Sequence, residues 1–160
     1  MDAETTLADT PPDEKESLRL WLRLLTCANL VEGEIRRRLR ARFATTLPRF
    51  DLLAALDRAP EGLTLGEVSR RMMVSNGNVT GLAARLEAEG LVERRLDAGD
   101  RRAFRLTLTA RGRREFTRQS RAHGEWIAEL LAALAPAERE ALHALLGRAK
   151  NSIRQGLETP

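Results

Sequence analysis

The sequence predicts a mainly helical protein with one small β-hairpin, and three observations lead there. Apolar residues recur at helical spacing from Ser17 to Gly90 and again after Thr109, as in amphipathic helices. Between Leu91 and Leu108 that period gives way to alternation, with Phe104, Leu106 and Leu108 set against Arg105 and Thr107, as in a half-buried strand. Start and stop signals separate the periodic runs at Leu47-Pro48, Thr64, Ser75, Gly90 and Pro136.

Taken in order, residues 1–12 are polar, acidic and end in Pro11-Pro12, so they read as a flexible acidic tail, with order beginning near Asp13. From Ser17 to about Phe43, Leu18, Trp21, Leu22, Leu25, Ala28, Leu30, Val31, Ile35 and Leu39 mark a long first helix, with Gly33 as the point where it could break. Leu47-Pro48 opens a second helix that turns Phe50, Leu53, Ala54 and Leu56 inward, and Ala59-Pro60-Glu61-Gly62 ends it as a turn. Thr64-Leu65-Gly66-Glu67 is a capping box for a short helix to about Arg71, with Leu65, Val68 and Met72 as its buried stripe. Ser75 caps a further helix whose inner face is Val79, Leu82, Ala83 and Leu86, and Gly90 stops it. Leu91–Leu96 and Phe104–Leu108 then pair as a hairpin with its tip at 97–102. Helical periodicity returns through Phe116, Trp126, Ile127, Leu130 and Leu134, and Pro136 starts a last helix carrying Leu142, Leu145, Leu146 and Ile153.

Composition bounds the function. A length of 160 residues suits a single domain, expected over 13–157, and 42% apolar against 31% charged residues is a globular balance. No apolar run approaches the roughly 18 residues of a membrane span, and the acidic start lacks the features of a secretory signal, so a cytoplasmic location without membrane attachment is expected. A single cysteine, Cys27, leaves folding to packing and to association with another chain. The net charge of +4 understates the basic character, since residues 1–17 hold six acids and one lysine, leaving +9 on the rest. A GC-rich genome would favour arginine codons over lysine ones but would not set their position: Arg94, Arg95, Arg101, Arg102, Arg105, Arg111, Arg113 and Arg114 cluster in one stretch, which suits a polyanion such as DNA.

Helix, turn, helix and a hairpin with an arginine-rich tip is a winged helix-turn-helix plan, with the winged part at about 47–109. The helix after Ser75 tests it. With its apolar residues inward, Gly77, Thr80, Gly81 and Ala84 face outward, flanked by Asn78 and Arg85. Solvated helix faces favour long charged chains, whereas a small polar face lets a helix sink into a major groove and reach base edges.

In the segments Leu47-Pro48-Arg49-Phe50-Asp51-Leu52-Leu53, Val74-Ser75-Asn76-Gly77-Asn78-Val79-Thr80, Arg85-Leu86-Glu87-Ala88-Glu89-Gly90-Leu91-Val92, and Asp100-Arg101-Arg102 followed by Leu106-Thr107-Leu108-Thr109, the sequence resembles the MarR family of bacterial transcription regulators. The resemblance covers about residues 17–157. It implies a homodimer that binds double-stranded DNA at a palindromic operator, acts as a repressor, and is released by a small aromatic or phenolic effector. It implies that the helix of Ser75, Asn76, Asn78, Thr80 and Arg85 reads the major groove. It further implies that Arg102, oriented by Asp100 and beside Arg101, enters the minor groove. An arginine at a hairpin tip suits the strong negative potential of a narrow minor groove, and Arg94, Arg95 and Arg105 would flank it as phosphate contacts. The terminal helices, about 13–43 and 110–157, hold more apolar positions than a small winged helix can cover and are the expected dimer interface. The resemblance places an effector pocket near Trp21, Cys27 and Phe50, although aromatic residues at helical spacing usually serve as core.

Competing classes are weaker. His123 and His143 stand alone, with no metalloprotease, phosphate-loop, Cys-x-x-Cys or nucleophile-elbow motif, so neither an enzyme nor a cofactor is expected. Cys27 lies among Leu24, Leu25, Ala28 and Leu30 in a chain without tyrosine, and is expected to be a buried, inert thiol. The alternatives are an oxidant-sensing regulator acting through Cys27, and an architectural DNA-binding protein without a ligand.

Overall fold

The computed structural model describes residues 11–96 and 104–158. In chain order these form α1 (Pro12–Phe43), α2 (Leu47–Asp57), α3 (Leu65–Met72), α4 (Asn76–Ala88), β1 (Val92–Leu96), β2 (Phe104–Leu108), α5 (Ala110–Leu130) and α6 (Pro136–Glu158). The element order is the one that periodicity and capping predict. No described helix is long and apolar enough to cross a membrane. The chain divides into a first unit through Gly124 and a second from Glu125 onward.

In the first unit, α1 starts at Pro12, with Asp13 and Glu14 in the first turn favouring the helix dipole. It runs 32 residues without a break, so the expected weak point at Gly33 does not interrupt it. The ion pairs Glu32–Arg36, Glu34–Arg37 and Glu34–Arg38 bracket the glycine at helical spacing. Hydrogen bonds from the Arg37 and Arg38 side chains lower the Glu34 carboxyl to about 2.

The core draws on every element of this unit, with Ile35 and Leu39 from α1, Leu52, Leu53 and Leu56 from α2, and Val68 from α3. Val79, Ala83 and Leu86 come from α4, and Val92, Leu106 and Leu108 from the hairpin. Five residues differ from the inward assignments of the sequence reading. Leu52, outside the expected stripe of α2, is fully buried, while Ala54, Leu65, Met72 and Leu82 are only half-buried. A helix covered from more than one side buries a wider arc than a single amphipathic stripe.

The strands pair antiparallel from Val92 opposite Leu108 to Leu96 opposite Phe104. Leu63 adds a bridge on the other edge of β2, its N–H donating to the Leu106 carbonyl at 3.0 Å and its carbonyl accepting from the Leu106 N–H at 2.7 Å. Gly62 makes that approach possible: its φ is +84°, and a Cβ there would sit 2.8 Å from the Leu106 oxygen. Gly112 is tighter still, since a Cβ would lie 1.9 Å from the Leu91 carbonyl oxygen.

The apolar residues of the terminal helices are treated differently along their length. Toward its N-terminus, α1 exposes Leu18, Leu20, Trp21, Leu22, Leu25 and Leu30, and Cys27 among them is exposed too. This corrects the expectation of a buried thiol: apolar neighbours along one helix bury a side chain only where another element packs on that face. In the second unit, α6 has no buried residue and exposes Leu142, Leu145, Leu146, Ile153 and Leu157.

The two helical glycines Gly33 and Gly112 should separate in urea denaturation. Gly33→Ala meets nothing within 4 Å and is expected to stabilise by about 0.5–1 kcal/mol, the helical cost of glycine relative to alanine. Gly112→Ala must displace the Leu91 backbone and is expected to cost about 3 kcal/mol.

Candidate nucleic-acid interface

The candidate interface is built on α3, α4 and the hairpin. α3 is fixed at its start by a complete capping box: Thr64 Oγ1 accepts from the Glu67 N–H at 3.2 Å, and Glu67 Oε2 accepts from the Thr64 N–H at 2.7 Å. Bonds from the Thr64 backbone and hydroxyl, followed by the nearby Arg105 and Arg70 charges, hold the Glu67 carboxyl below its ordinary range. Arg105 spans from β2 to this corner, donating to the Gly62 carbonyl at 3.0 Å and to Glu67 at 3.4 Å. It thus ties the hairpin to the first turn of α3.

Met73, in the left-handed region at φ 54°, closes α3 and lets the chain turn into α4. Ser75 caps α4, its Oγ accepting from the Asn78 N–H at 3.5 Å. Val79, Ala83 and Leu86 anchor the inner side with no exposed surface. That leaves Gly77, Asn78, Thr80, Gly81, Ala84 and Arg85 exposed on the other side, the face expected from helical geometry. Its small side chains border a shallow open depression of about 430 Å³ that reaches Pro48, Met72 and Val74. Thr80 Oγ1 donates to the Asn76 carbonyl at 2.9 Å, so its lone pairs remain free to accept from a base amino group.

Three contacts fix the far end of α4. The Arg49 guanidinium forks onto the Glu89 carboxylate, with Nη1 to Oε1 at 2.8 Å and Nη2 paired to Oε2. That pairing lowers the Glu89 carboxyl, first through the Arg49 hydrogen bond. Arg111 Nη1 donates to the Glu89 carbonyl at 2.9 Å, and Thr109 Oγ1 to the Gly90 carbonyl at 2.7 Å. Sequence reasoning quoted Arg49 and Glu89 without pairing them, because residues 40 positions apart carry no local signal.

The remaining expected residues fall as follows. Asn76 is the first residue of α4 and lends its carbonyl to Thr80. Arg94 on β1 pairs with Glu87 at 3.0 Å, and Arg95 with Glu93. Asp100, Arg101 and Arg102 lie outside the described residues. Of the three residues assigned to an effector, Trp21 and Cys27 are exposed on α1. Phe50 is buried in α2, with ring centroids 5.5 Å from Phe116 and 4.9 Å from His123. Burial among these rings holds His123 below its ordinary range. Among the described residues no group of histidine, cysteine, aspartate or glutamate could hold a metal ion.

Comparison with known proteins gives this arrangement its family. The sequence profile of the MarR family matches residues 45–103, the span from the start of α2 to the end of the 97–103 segment. The crystal structure of a MarR family transcriptional regulator from Silicibacter pomeroyi superposes with a TM-score of 0.75 at 33% identity, covering 90% of this chain and 99% of that one. The chain belongs to the MarR family. Among curated relatives, the transcriptional activatory protein BadR of Rhodopseudomonas palustris is 36% identical over 117 residues, 71% of this chain and 66% of BadR. The HTH-type transcriptional regulator PecS of Dickeya dadantii is 30% identical over 115 residues, 71% of this chain and 69% of PecS. The chain thus spans about two thirds of the length of these relatives. It is a MarR-family transcriptional regulator with a winged helix, and its relatives are regulators rather than enzymes.

In this MarR protein the α3 corner should be sensitive to acid. A carboxyl whose folded-state value is lowered contributes stability above its unfolded value, lost as pH falls through the folded one. Glu67 is such a group. Between about pH 5 and about pH 3, chemical denaturation should therefore show a larger loss of stability in the wild type than in Glu67→Gln, which has no proton to take up.

Proposed function

We propose that the protein is a homodimeric, sequence-specific DNA-binding repressor that reads an inverted repeat with one α4 helix per half-site. The observation that carries this is the exposed face of α4, where Asn78, Thr80 and Arg85 stand among glycine and alanine, leaving room for a groove wall and polar atoms for base edges. In this reading Arg102, whose sequence neighbours include Asp100 and Arg101, would serve the minor groove, with Arg94 as a phosphate contact. BadR is by name an activatory protein; repression here follows if the operator overlaps the promoter. A small aromatic or phenolic effector would lower DNA affinity by altering the spacing of the two reading helices.

Titration against cognate and scrambled duplexes tests the reading. Thr80→Ala and Asn78→Ala are each expected to cost about 1–3 kcal/mol on the cognate duplex and far less on the scrambled one. Arg102→Ala should instead weaken the preference for A·T-rich flanks. Equal losses on both duplexes for the α4 variants would remove the reading role.

The exposed apolar residues of α1 and of α6 support a second copy as their cover, since soluble monomers rarely leave such patches open. Leu20→Glu and Leu145→Glu alter residues that are exposed within one chain, so each variant should keep its helical content while sedimenting as a monomer and losing affinity for the full inverted repeat.

The exposure of Cys27 on α1 favours one second reading, control by oxidation of this thiol. Peroxide should then release DNA from the wild type and not from Cys27→Ser; unchanged binding in both leaves control to a small molecule.

A further inference from the structure

From Asn76 to Glu89 the only charged side chains are Arg85, Glu87 and Glu89, and they are treated unequally. Both carboxylates are taken by arginines from other elements. Arg94 of β1 pairs with Glu87 at 3.0 Å, and Arg49 of α2 forks across the two oxygens of Glu89. Arg85 has no ion-pair or hydrogen-bond partner among the described residues. It is exposed and borders the same open depression as Gly77, Asn78 and Gly81. Helix geometry alone favours a different pairing. Arg85 and Glu89 lie four positions apart, the spacing at which opposite charges meet along a helix, whereas Glu87, two positions on, faces elsewhere. Glu89 is also a standing anion at neutral pH, because its carboxyl is held below the ordinary range, first by the Arg49 hydrogen bond. What stands between Glu89 and Arg85 is Arg49, whose fork engages both carboxylate oxygens and offsets their charge.

We propose that Arg49 is a positioning residue for DNA binding: by holding Glu89 it keeps Arg85 unpaired, so that the one cation of α4 meets DNA without first breaking an ion pair. The proposal rests on the DNA-reading role of α4 proposed above. It gives Arg49 a task that differs from holding the helix in place. That second task is shared by Arg111 and Thr109, which bond the Glu89 and Gly90 carbonyls and do not engage the Glu89 carboxylate. The two halves of the Arg49–Glu89 pair are therefore not equivalent. Without Arg49 a carboxylate is released one turn from Arg85; without the Glu89 charge nothing is released that can close on it.

The test uses the full-length protein and a duplex that the wild type selects from a random pool, with affinity measured across a salt series. Each variant is first checked for wild-type helical content and a cooperative thermal transition. Arg49→Met is expected to lower affinity about tenfold and the salt slope by about one unit, since one cation is withdrawn from the DNA. Glu89→Gln breaks the same ion pair, keeps an amide oxygen for Arg49, and should cost much less. The double variant Arg49→Met/Glu89→Gln should recover most of what Arg49→Met loses. If Arg49→Met does not fold, Arg49→Lys, which cannot fork, carries the test with the same recovery expected. Equal losses in the two single variants, or no recovery in the double, would mean that the pair only clamps the helix or that Arg49 meets DNA itself, and would overturn the proposal. An undiminished affinity in Arg49→Met would overturn it too, because Glu89 then leaves Arg85 alone when released. Arg85→Ala separates the two levels. A loss in Arg85→Ala together with an unrescued Arg49→Met removes the positioning role alone, whereas no loss in Arg85→Ala removes the DNA contact of Arg85 and the positioning role with it.

Discussion

The hold on the C-terminal end of α4 is the constraint on which the rest depends. The last carbonyls of any helix lack partners within it, and here they are satisfied from outside. Arg111 reaches the Glu89 carbonyl, Thr109 reaches the Gly90 carbonyl, and Arg49 grips the Glu89 side chain. Those three donors come from α2 and from the start of α5, so the orientation of the exposed face of α4 is set by elements that do not share that face. Gly112 completes the arrangement by letting the α5 backbone close on Leu91. Ion pairs at exposed positions contribute little to stability alone, but a forked arginine on a carboxylate fixes direction as well as distance, and direction is what the role proposed for α4 needs.

Much of this was legible in the sequence because it depends on local rules. Capping at Thr64 and Ser75, the stop at Gly90 and the alternation through Phe104, Leu106 and Leu108 each follow from a few neighbouring residues, and each is where the sequence places it. The small outward face of α4 follows from helical geometry once its inner residues are known. The Leu63 bridge to Leu106 and the pairing of Arg49 with Glu89 left no such trace. Both join segments some forty positions apart, and nothing in either segment alone selects the other.

Burial was the least legible property. Cys27 and Phe50 both lie in apolar stretches of sequence, yet one is exposed and the other packs among aromatic rings. The difference lies in what meets each helix face. Apolar spacing says that a face prefers to be covered, and leaves open which element, or which chain, covers it. For α2 the cover is present within the unit; for the N-terminal part of α1 one chain does not supply it.

The three described arginines of the hairpin strands are already in company. Arg94 is held by Glu87, Arg95 by Glu93 and Arg105 by Glu67, so each guanidinium carries its own fixed anion before any polyanion arrives. Phosphate meeting one of them exchanges one carboxylate partner for another oxygen anion instead of neutralising a bare charge. DNA gives up condensed counterions in proportion to the net charge delivered to it. The number of ions released on binding should therefore fall well short of the number of arginines at the surface, and the complex should tolerate salt better than the basic composition suggests.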